Sequence, residues 1–450
     1  MYDKTPSNRG QGGNAQSPDR RLRCLVLVDF AALPIGTVER HISAFRDFSV
    51  HEIQVAHVRA LDVVGFEANS FDVVVFHYSI VIAKGFHLGT KLRAKFSAAR
   101  GLKVLFIQDE YRWIDATAEA IGELGISVLF TVVNREVVDL IYHHPWLKGV
   151  RKELTLTGFV DETLLGIEVP SYENRDVDVA YRARKVPYWL GSFAMEKWNI
   201  GRRFESDVSH FQLACDISSD ESSRLYGADW IRFLSGAKAV LGTESGASVC
   251  DFSGELRTRV EAAVDRDKEI EFEPIHEEIL RESDGQIIIH VVSPRMFEAA
   301  ALRTLMINYP GEYSGCLIPW RHYVPLEKDH SNIAEVVAVI RNPEKAKEII
   351  DAAYREVACD SKNSFRAMAE HFDRVLADEL GLVIPAGRNV SVSRRRWHFL
   401  EAASWIYYYT WPVLVGIRIL GVRVRCHIWG VVREFVPLRV LDWVKAKLLR

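Results

Sequence analysis

A carboxylate between a short helix and a buried strand is the residue that most clearly suggests chemistry. The segment 293–307 reads SPRMFEAAALRTLMI, which puts Glu298 on the first turns of a helix that an apolar strand follows. One ionised carboxylate accepts two hydrogen bonds, so a group placed there can hold both hydroxyls of a ribose. The alternative is an acid near a helix N-terminus that is favoured only by the helix macrodipole.

Basic residues follow another apolar strand. The stretch 182–185 reads Arg-Ala-Arg-Lys, and Lys197 lies on the next helix. Fixed cations in such a place stabilise the negative charge that a leaving diphosphate gains, without needing a metal ion. The alternative is a solvated basic loop.

A loop of small residues comes after a further strand. It reads GTESGAS over 242–248 and contains Glu244, Ser245 and Gly246. Small side chains allow backbone N–H groups to approach a phosphate or a sugar closely. The alternative is a tight turn that needs a positive φ at Gly246.

Polar residues end two predicted strands in the first half of the chain. His77 follows FDVVVF at 71–76, and Asp109 and Glu110 follow the strand at 103–107. A histidine exchanges protons near neutral pH, and a carboxylate can take the proton of a hydroxyl group. We predict His77 and Glu110 as catalytic residues. The alternatives are a hydrogen-bonded structural histidine and loop acids that cap a helix.

Apolar runs of strand length alternate with helical patterns along most of the chain. The predicted strands are 23–30, 71–76, 103–107, 127–132, 178–181, 211–215, 237–242, 286–292 and 304–308. Such alternation indicates parallel sheets with helices on both faces. The predicted fold class is therefore α/β, with two doubly wound Rossmann-like domains facing a cleft. Ligands of such sheets bind outside the carboxyl ends of the strands.

The predicted organisation has five segments. These are a disordered tail (1–20), a first Rossmann-like domain (21–160), a linker (161–176), a second Rossmann-like domain (177–380) and a basic, aromatic-rich helical tail (386–450). A helix predicted at 361–380 is a candidate for crossing back to the first domain.

Composition limits the class of protein. A length of 450 residues fits two or three domains, and a net charge of -3 argues against a nucleic-acid polycation.

The six cysteines are far apart and form no Cys-x-x-Cys pair, which argues against a zinc module and favours a reducing compartment. The Asp-x-Asp pairs at 176–178 and 265–267 do not follow strands, so no metal site is predicted. Residues 1–20 lack the apolar core of a signal peptide, so we expect a cytoplasmic protein.

The tail from 386 to 450 is basic. It holds twelve Lys and Arg against three acids, or +9, which leaves -12 for the remainder. Between Glu401 and Arg418 lie sixteen uncharged residues rich in Trp and Tyr, and Pro412 interrupts them. A membrane span needs about 20 apolar residues, whereas aromatic and basic side chains favour the headgroup region. We predict attachment to an anionic membrane surface through 394–450. The alternatives are helices packed on the protein's own core or on a partner, and a short span.

Two stretches carry a resemblance to a known family. The segment around Glu298 resembles the nucleotide-sugar-binding stretch of GT-B glycosyltransferases, and is most similar to the group-1-like and spore-maturation (CgeB-like) branches. In these branches a Phe-Glu-Ala run precedes a small-residue helix and a strand. The stretch 230–256, WIRFLSGAKAVLGTESGASVCDFSGEL, is similar to bacterial surface-polysaccharide glycosyltransferases. The resemblance covers about 177–380, and the first domain resembles the family by architecture alone.

The resemblance implies roles for individual residues. It assigns Arg182 or Arg184, with Lys197, to the diphosphate and Glu298 to the ribose. The expected donor-binding set is Arg182, Arg184, Lys197, Glu244, Ser245, Gly246, Ser293, Arg295 and Glu298. One position departs from the family pattern, because His290 stands where many retaining relatives have a glutamate that contacts the transferred sugar. We include His290 with the catalytic candidates as a hydrogen-bond donor to sugar or phosphate.

The function implied is transfer of a sugar from a nucleotide donor, UDP- or GDP-linked, to a saccharide or lipid-linked acceptor. Transfer would be metal-independent and retaining, without a cofactor, at the inner face of the cytoplasmic membrane. The first domain would be the acceptor side, and the second would bind the nucleotide sugar. Two alternatives stay open. One is a non-catalytic membrane-peripheral binding protein on a degenerate GT-B frame, favoured by His290; the other is a nucleotide-sugar epimerase of the same fold.

Overall fold

The structure, a computed structural model, describes residues 21–383 and 399–419, and the side chains of 399 and 411–419 are not part of that description. The first sheet has six strands: β1 (Arg23–Val28), β2 (Glu52–His57), β3 (Val73–Phe76), β4 (Leu102–Ile107), β5 (Val128–Thr131) and β6 (Arg151–Leu154). All are parallel, in the order β2-β1-β3-β4-β5-β6.

The second half contains a five-stranded sheet and a separate hairpin. Its strands are β7 (Val177–Arg182), β8 (Cys215–Ser218), β9 (Ala237–Gly242), β10 (Ser245–Ala247), β11 (Ile289–Val291), β12 (Leu305–Asn308) and β13 (Val324–Pro325). The sheet is parallel in the order β13-β12-β9-β7-β8; among the described residues, β10 and β11 pair only with each other, antiparallel.

Helices connect and cover these strands. On the first domain lie α1 (Gly36–Phe48), α2 (Thr90–Ser97), α3 (Ile114–Leu124) and α4 (Arg135–Ile141). The second half carries α5 (Ser192–Asp207), α6 (Gly227–Gly236), α7 (Glu255–Arg266), α8 (Phe272–Ile275), α9 (Pro294–Ala301), α10 (Ile333–Ile340) and α11 (Pro343–Ala353). Two more helices follow, α12 (Phe365–Leu380) and α13 (Phe399–Ile419).

The first sheet is buried on both faces, which explains its continuous apolar runs. Along β1 the odd-numbered Leu25 and Leu27 join one hydrophobic core, and the even-numbered Cys24 and Val26 join the core on the opposite face. Alternate side chains of a strand point to opposite faces, so a strand covered on both sides is apolar throughout. The predicted fold class, two doubly wound α/β domains, is confirmed.

Some strands differ from prediction. The edge strand β6 reads RKEL and is mostly half-exposed, so no apolar run marks it. The run at 286–292, predicted as a strand of the sheet, instead forms the three-residue β11 of the hairpin. Ile289 and Val291 belong to a core of the first domain, so the hairpin lies between the two domains.

Both C-terminal helices pack on the first domain. Phe372 of α12 is in the core beside Phe45 of α1, so the final helix of the predicted segment 177–380 leaves the second sheet. In α13, the Ser404 hydroxyl accepts a hydrogen bond from the His57 N–H at 2.9 Å, and Trp405 lies against Phe30. For α13, this is the arrangement that the alternative prediction described, in which the tail packs on the protein's own core. Residues 386–398 and 420–450 of the predicted tail lie outside the described residues.

Candidate functional site

The strand order of the second sheet creates a crevice. From β7 the chain moves outward to β8 and then returns to the other side of β7 to form β9. Helices leave two such neighbouring strands in opposite directions, so a crevice opens beyond their carboxyl ends, and ligands bind there. These ends are Arg182 of β7 and Gly242 of β9, the points at which the predicted basic and small-residue loops begin.

Three cations meet beyond these strand ends. Lys197 on α5 is partly buried, and its Nζ donates a hydrogen bond to Ser245 Oγ at 2.8 Å. Burial, and then the positive charges of Arg295 and Arg184, lower the pKa of Lys197 to about 8. Within the described part of the chain, none of the three cations pairs with a carboxylate. We call Arg184, Lys197 and Arg295 the cation cluster; cations held close together without salt-bridge partners favour an anion.

Arg295 is held rigidly on the first turn of α9. Its Nη2 donates to the backbone oxygen of Arg182 at 2.5 Å. The guanidinium also lies 4.9 Å from the ring centroid of Tyr181 and 5.3 Å from that of Trp230. Its Nε is buried without a hydrogen-bond partner. The position of this charge is therefore set before any ligand binds.

Arg182 turns away from the cluster. Its Nη2 pairs with Asp216 Oδ1 at 2.7 Å, its Nη1 donates to the Asp216 carbonyl oxygen at 2.9 Å, and its guanidinium lies over Phe233. Of the two arginines predicted for the diphosphate, Arg182 thus fixes the edge strand β8. Arg184 is exposed and is the one that contributes to the field at Lys197.

Gly246 is required by the hairpin. Its φ is +138°, and a Cβ at this position would overlap the carbonyl oxygen of Ile289. Gly246 is paired with His290 across β10 and β11, so the close approach of the two strands depends on the absent side chain. The alternative of a structural glycine thus applies to Gly246, while the neighbouring Ser245 hydroxyl faces the cation cluster.

Glu244 and His290 form a pair at the domain boundary. The Glu244 side chain is 8% exposed, and its Oε1 accepts the Tyr313 N–H at 2.7 Å and lies 3.4 Å from His290 Nδ1. The hydrogen bond with Glu244 raises the pKa of His290. His290 Nε2 lies 3.4 Å from Asn134 Nδ2 of the first domain. An imidazole and a carboxylate therefore lie side by side at the boundary between the two domains.

Glu298 has one oxygen occupied. Trp230 Nε1 donates to its Oε2 at 2.8 Å, and no described residue hydrogen-bonds to Oε1. Burial raises the pKa of Glu298, against the opposing effects of Trp230 and the Arg295 charge. Ser293 is the N-cap residue of the same helix, α9, and makes no side-chain capping bond. A carboxylate oxygen and a hydroxyl thus remain available near Arg295.

The two residues of the first domain that were predicted to be catalytic, His77 and Glu110, are both buried. His77 is fully buried; its Nδ1 lies 3.1 Å from the N–H of Ser79 and its Nε2 3.1 Å from His41 Nδ1. Burial, with His41 nearby, holds the pKa of His77 well below its usual value. His77 is therefore the hydrogen-bonded structural histidine of the alternative prediction, and its side chain does not reach the cleft.

Glu110 is buried as well. It accepts hydrogen bonds from the Thr131 hydroxyl at 2.6 Å, from the Val132 N–H at 3.2 Å and from the Tyr142 hydroxyl. Burial raises its pKa to about 7, against these bonds. Its neighbour Asp109 has a positive φ of 60° and a half-exposed side chain, and it contributes to the field at Lys197. Asp109, and not Glu110, is therefore the carboxylate that reaches the cleft.

A groove of about 650 Å³ lies between the domains beside the cation cluster. We call it the interdomain groove. Asp109, Tyr111 and Arg112 of the first domain line one side, and Arg184 is common to the groove and the cation cluster. No group of three or more His, Cys, Asp or Glu side chains within residues 21–383 and 399–419 is placed to hold a metal ion.

The structure thus brings together Arg184, Lys197, Ser245 and Arg295, with Glu298 near Arg295 on α9 and His290 opposite Gly246 on the hairpin. It separates Arg182, His77 and Glu110 from that group. Sequence reasoning missed Trp230 as the partner of Glu298, and Asn134 as the contact of His290. Each lies more than 60 positions from its partner, and no local pattern links them.

Comparison with known proteins finds similarity of structure only. No family model and no curated protein matches the sequence. Among solved structures 101 chains match. Anabaena HepE in complex with UDP has a TM-score of 0.48 and 10% identity, covering 79% of this chain and 100% of that one. An alpha-glucosyltransferase in complex with UDP-glucose and DNA containing an abasic site has a TM-score of 0.46 and 8% identity, covering 79% and 100%.

TarM is also similar, with a TM-score of 0.41 and 12% identity. The match covers 67% of this chain, which spans about half, 54%, of TarM. Likeness at these identities and TM-scores carries no information about a substrate. The function must therefore be argued from the side chains of the site.

Proposed function

We propose that the protein is a glycosyltransferase that moves a sugar from a nucleotide-sugar donor to an acceptor hydroxyl. The observation that carries the proposal is the cation cluster at the crevice of the second sheet. Arg184, Lys197 and Arg295 lie close together there without a carboxylate partner. Three cations without a salt-bridge partner among the described residues, around a small-residue loop, form a site for a diphosphate.

The cluster supplies the main catalytic effect in this proposal. During transfer the acceptor oxygen bonds to the anomeric carbon, and the bond from that carbon to the diphosphate oxygen breaks. The electron pair stays on the diphosphate, whose growing charge the fixed cations stabilise. The ammonium and guanidinium groups take the place of a metal ion, so we propose metal-independent transfer.

Glu298 would bind the ribose of the donor. Trp230 holds Oε2 and so fixes the carboxylate, while Oε1 is available to accept from hydroxyl groups. A UDP- or GDP-linked donor is proposed, with the diphosphate on the cation cluster. Glu244 and Ser293 would complete the donor-binding set.

Asp109 is the first-domain group proposed to take the proton of the acceptor hydroxyl. It follows β4 at the cleft and is half-exposed, and its carboxylate accepts hydrogen bonds from Tyr111 Oη at 2.7 Å and from Arg112 Nη2 at 2.9 Å. His290 is proposed to contact the transferred sugar, with Glu244 behind it. Retention of the anomeric configuration remains our proposal. NMR of the product's anomeric proton tests it, and inversion would contradict it.

Two other functions remain to be separated from this one. An epimerase needs a closed pocket, whereas the interdomain groove leads from the cation cluster to the outside between the domains, which favours an acceptor. A non-catalytic binding protein would bind nucleotide sugar without turnover. Thermal-shift screening against UDP-, GDP-, ADP- and CMP-sugars, followed by product analysis with the best donor, tests all three. Stabilisation without hydrolysis, transfer or epimerisation would favour the binding protein.

Membrane attachment is proposed for the C-terminal segment, with a saccharide or lipid-linked acceptor at the cytoplasmic leaflet. Trp405 of α13 faces the first domain, while Tyr409 is 68% exposed. No helix of the described residues is long and apolar enough to cross a bilayer. Truncation after Ile419 keeps α13 in place and removes the basic residues beyond it. We expect full-length protein to float with anionic liposomes and the truncated form to remain behind; equal flotation would contradict this assignment.

A further inference from the structure

The interdomain groove has one wall that comes from an insertion in the β10–β11 hairpin. Hairpin strands are usually joined by two to five residues, but here residues 248–288 intervene and carry α7 and α8. The insertion docks on the loop before α5, where Trp189 packs with Val260 and Leu280. The groove therefore has a helix, α7, as its outer wall.

The same insertion also touches the first domain. The Asp251 N–H donates to the Tyr111 carbonyl oxygen at 2.8 Å, and the Asp115 N–H donates to the Phe252 carbonyl oxygen at 3.1 Å. The Asp251 carboxylate accepts the Arg257 N–H at 2.9 Å and so sets the start of α7. The groove has three sides: the first domain, the loop before α5, and the insertion. The insertion is thus linked to the other two by hydrogen bonds or core packing.

The lining of the groove is positively charged. Five cations line it, namely Arg112, Arg184, Lys185, Arg257 and Lys268, against three acids, Asp109, Glu261 and Asp265. Each acid pairs with a cation, at 2.9 Å to Arg112, 2.7 Å to Arg257 and 2.5 Å to Lys268. Arg184 and Lys185 have no acidic partner within the part of the chain that the structure describes. This excess of positive charge contrasts with the net charge of -12 on the part of the chain outside residues 386–450.

Aromatic rings line the same space. Tyr111 and Trp189 lie with ring centroids 6.0 Å apart, one from each domain. Arg257 lies over Trp189 at 5.2 Å, and its Nη1 is buried without a hydrogen-bond partner. Flat aromatic faces pack against the apolar faces of sugar rings, and guanidinium groups pair with carboxylate or phosphate.

We propose that the interdomain groove binds the acceptor and selects a saccharide that carries negative charge, as carboxylate or phosphate. This inference rests on the proposed glycosyl transfer, because Arg184 and Asp109 join the groove to the cation cluster. The donor's anomeric carbon and the acceptor's hydroxyl then meet where the groove opens at the cluster. Lys185 provides charge without an acidic partner to the acceptor, and the Lys268–Asp265 ion pair also lines the groove.

Binding of defined oligosaccharides to the full-length protein tests the proposal, measured by calorimetry with and without UDP. The probes are a glucuronate-containing oligosaccharide, a phosphorylated one and a neutral one of equal length. We expect at least one charged probe to bind ten times more tightly than the neutral probe, with affinity that falls as salt rises. The probe that binds distinguishes carboxylate from phosphate. Equal binding of charged and neutral probes, or of none, would overturn the proposal.

Charge reversal locates the site. Lys185→Glu is expected to weaken binding of the charged probe at least tenfold, and Lys268→Glu, which leaves Asp265 without its partner in the groove, is expected to weaken it as well, both with UDP affinity unchanged. Lys152→Glu on the first domain, outside the groove, is the matched control, and equal thermal midpoints verify folding. If UDP binds but neither groove variant has an effect, this inference fails while donor binding stands. If the charged probe binds through the groove but no nucleotide does, the proposed function fails instead.

Discussion

Lys197 Nζ donates a hydrogen bond to Ser245 Oγ at 2.8 Å, which links helix α5 to the first residue of β10. The contact spans the crevice of the second sheet and brings an ammonium group beside Arg184 and Arg295. Holding like charges close together costs electrostatic free energy, and an anion bound between them removes that cost. The contact therefore marks the place where the diphosphate of a donor would bind.

Nucleotide affinity should depend on pH through Lys197. Its pKa of about 8 means that the ammonium form predominates below pH 8 and is lost above it. Because the diphosphate binds the ammonium form, we expect UDP or GDP affinity to fall by up to about tenfold per pH unit above pH 8. Calorimetry between pH 6.5 and 9.5 measures this.

Lys197→Arg is the control for that prediction, because arginine stays charged across the range. The variant should bind nucleotide with little change between pH 8 and 9.5. A wild-type affinity that is level across the same interval would show that Lys197 does not contact the ligand.

Glu298→Ala should weaken nucleotide binding about tenfold to a hundredfold, since hydrogen bonds to a charged group contribute roughly 1.5–3 kcal/mol. Glu298→Gln keeps an acceptor for the Trp230 N–H but loses the charge, and should give a smaller loss. Trp230→Phe tests the positioning of Oε2 alone. Calorimetric titration with the best donor is the measurement, and unchanged affinity in Glu298→Ala would remove the ribose assignment.

Gly246→Ala should unfold more easily than wild type, by about 2 kcal/mol or more in the free energy of unfolding. The added Cβ overlaps the Ile289 carbonyl oxygen, and φ at this residue is +138°. Gly285→Ala is the matched control, because its φ is +83° but no atom lies within 4 Å of the added Cβ. Urea denaturation separates the two effects, and equal losses would attribute the requirement to φ alone.

Transfer activity should persist in EDTA, because the cation cluster neutralises the leaving diphosphate in this mechanism. Product formation is measured with the identified donor before and after chelation, and again after adding Mg²⁺ or Mn²⁺. Rates within about twofold are expected. Complete loss in EDTA with recovery on adding a divalent ion would replace this mechanism with a metal-assisted one.

The sequence could predict the central strands because both of their faces are buried, as in β1 and β9. It could not predict edge strand β6, whose residues are polar, or the separate hairpin, since β11 has the composition of a core strand. In the site, the distinction between Arg182 and Arg184 depends on Asp216, which is distant in sequence. The sequence could not distinguish His77 and Glu110 from cleft residues, because both follow apolar strands as cleft residues do. The structure shows that both residues are buried.

Titration of the full-length protein with UDP and GDP, compared with the double variant Arg184→Met/Lys197→Met, tests the central claim most directly. One of the nucleotides should bind at a single site per chain, and the double variant should bind it at least about a hundredfold more weakly at an unchanged thermal midpoint. Lys152→Met should bind as wild type does. Equal affinity in wild type and the double variant, or no binding of either nucleotide to the wild type, would contradict the assignment of the cation cluster to a nucleotide diphosphate.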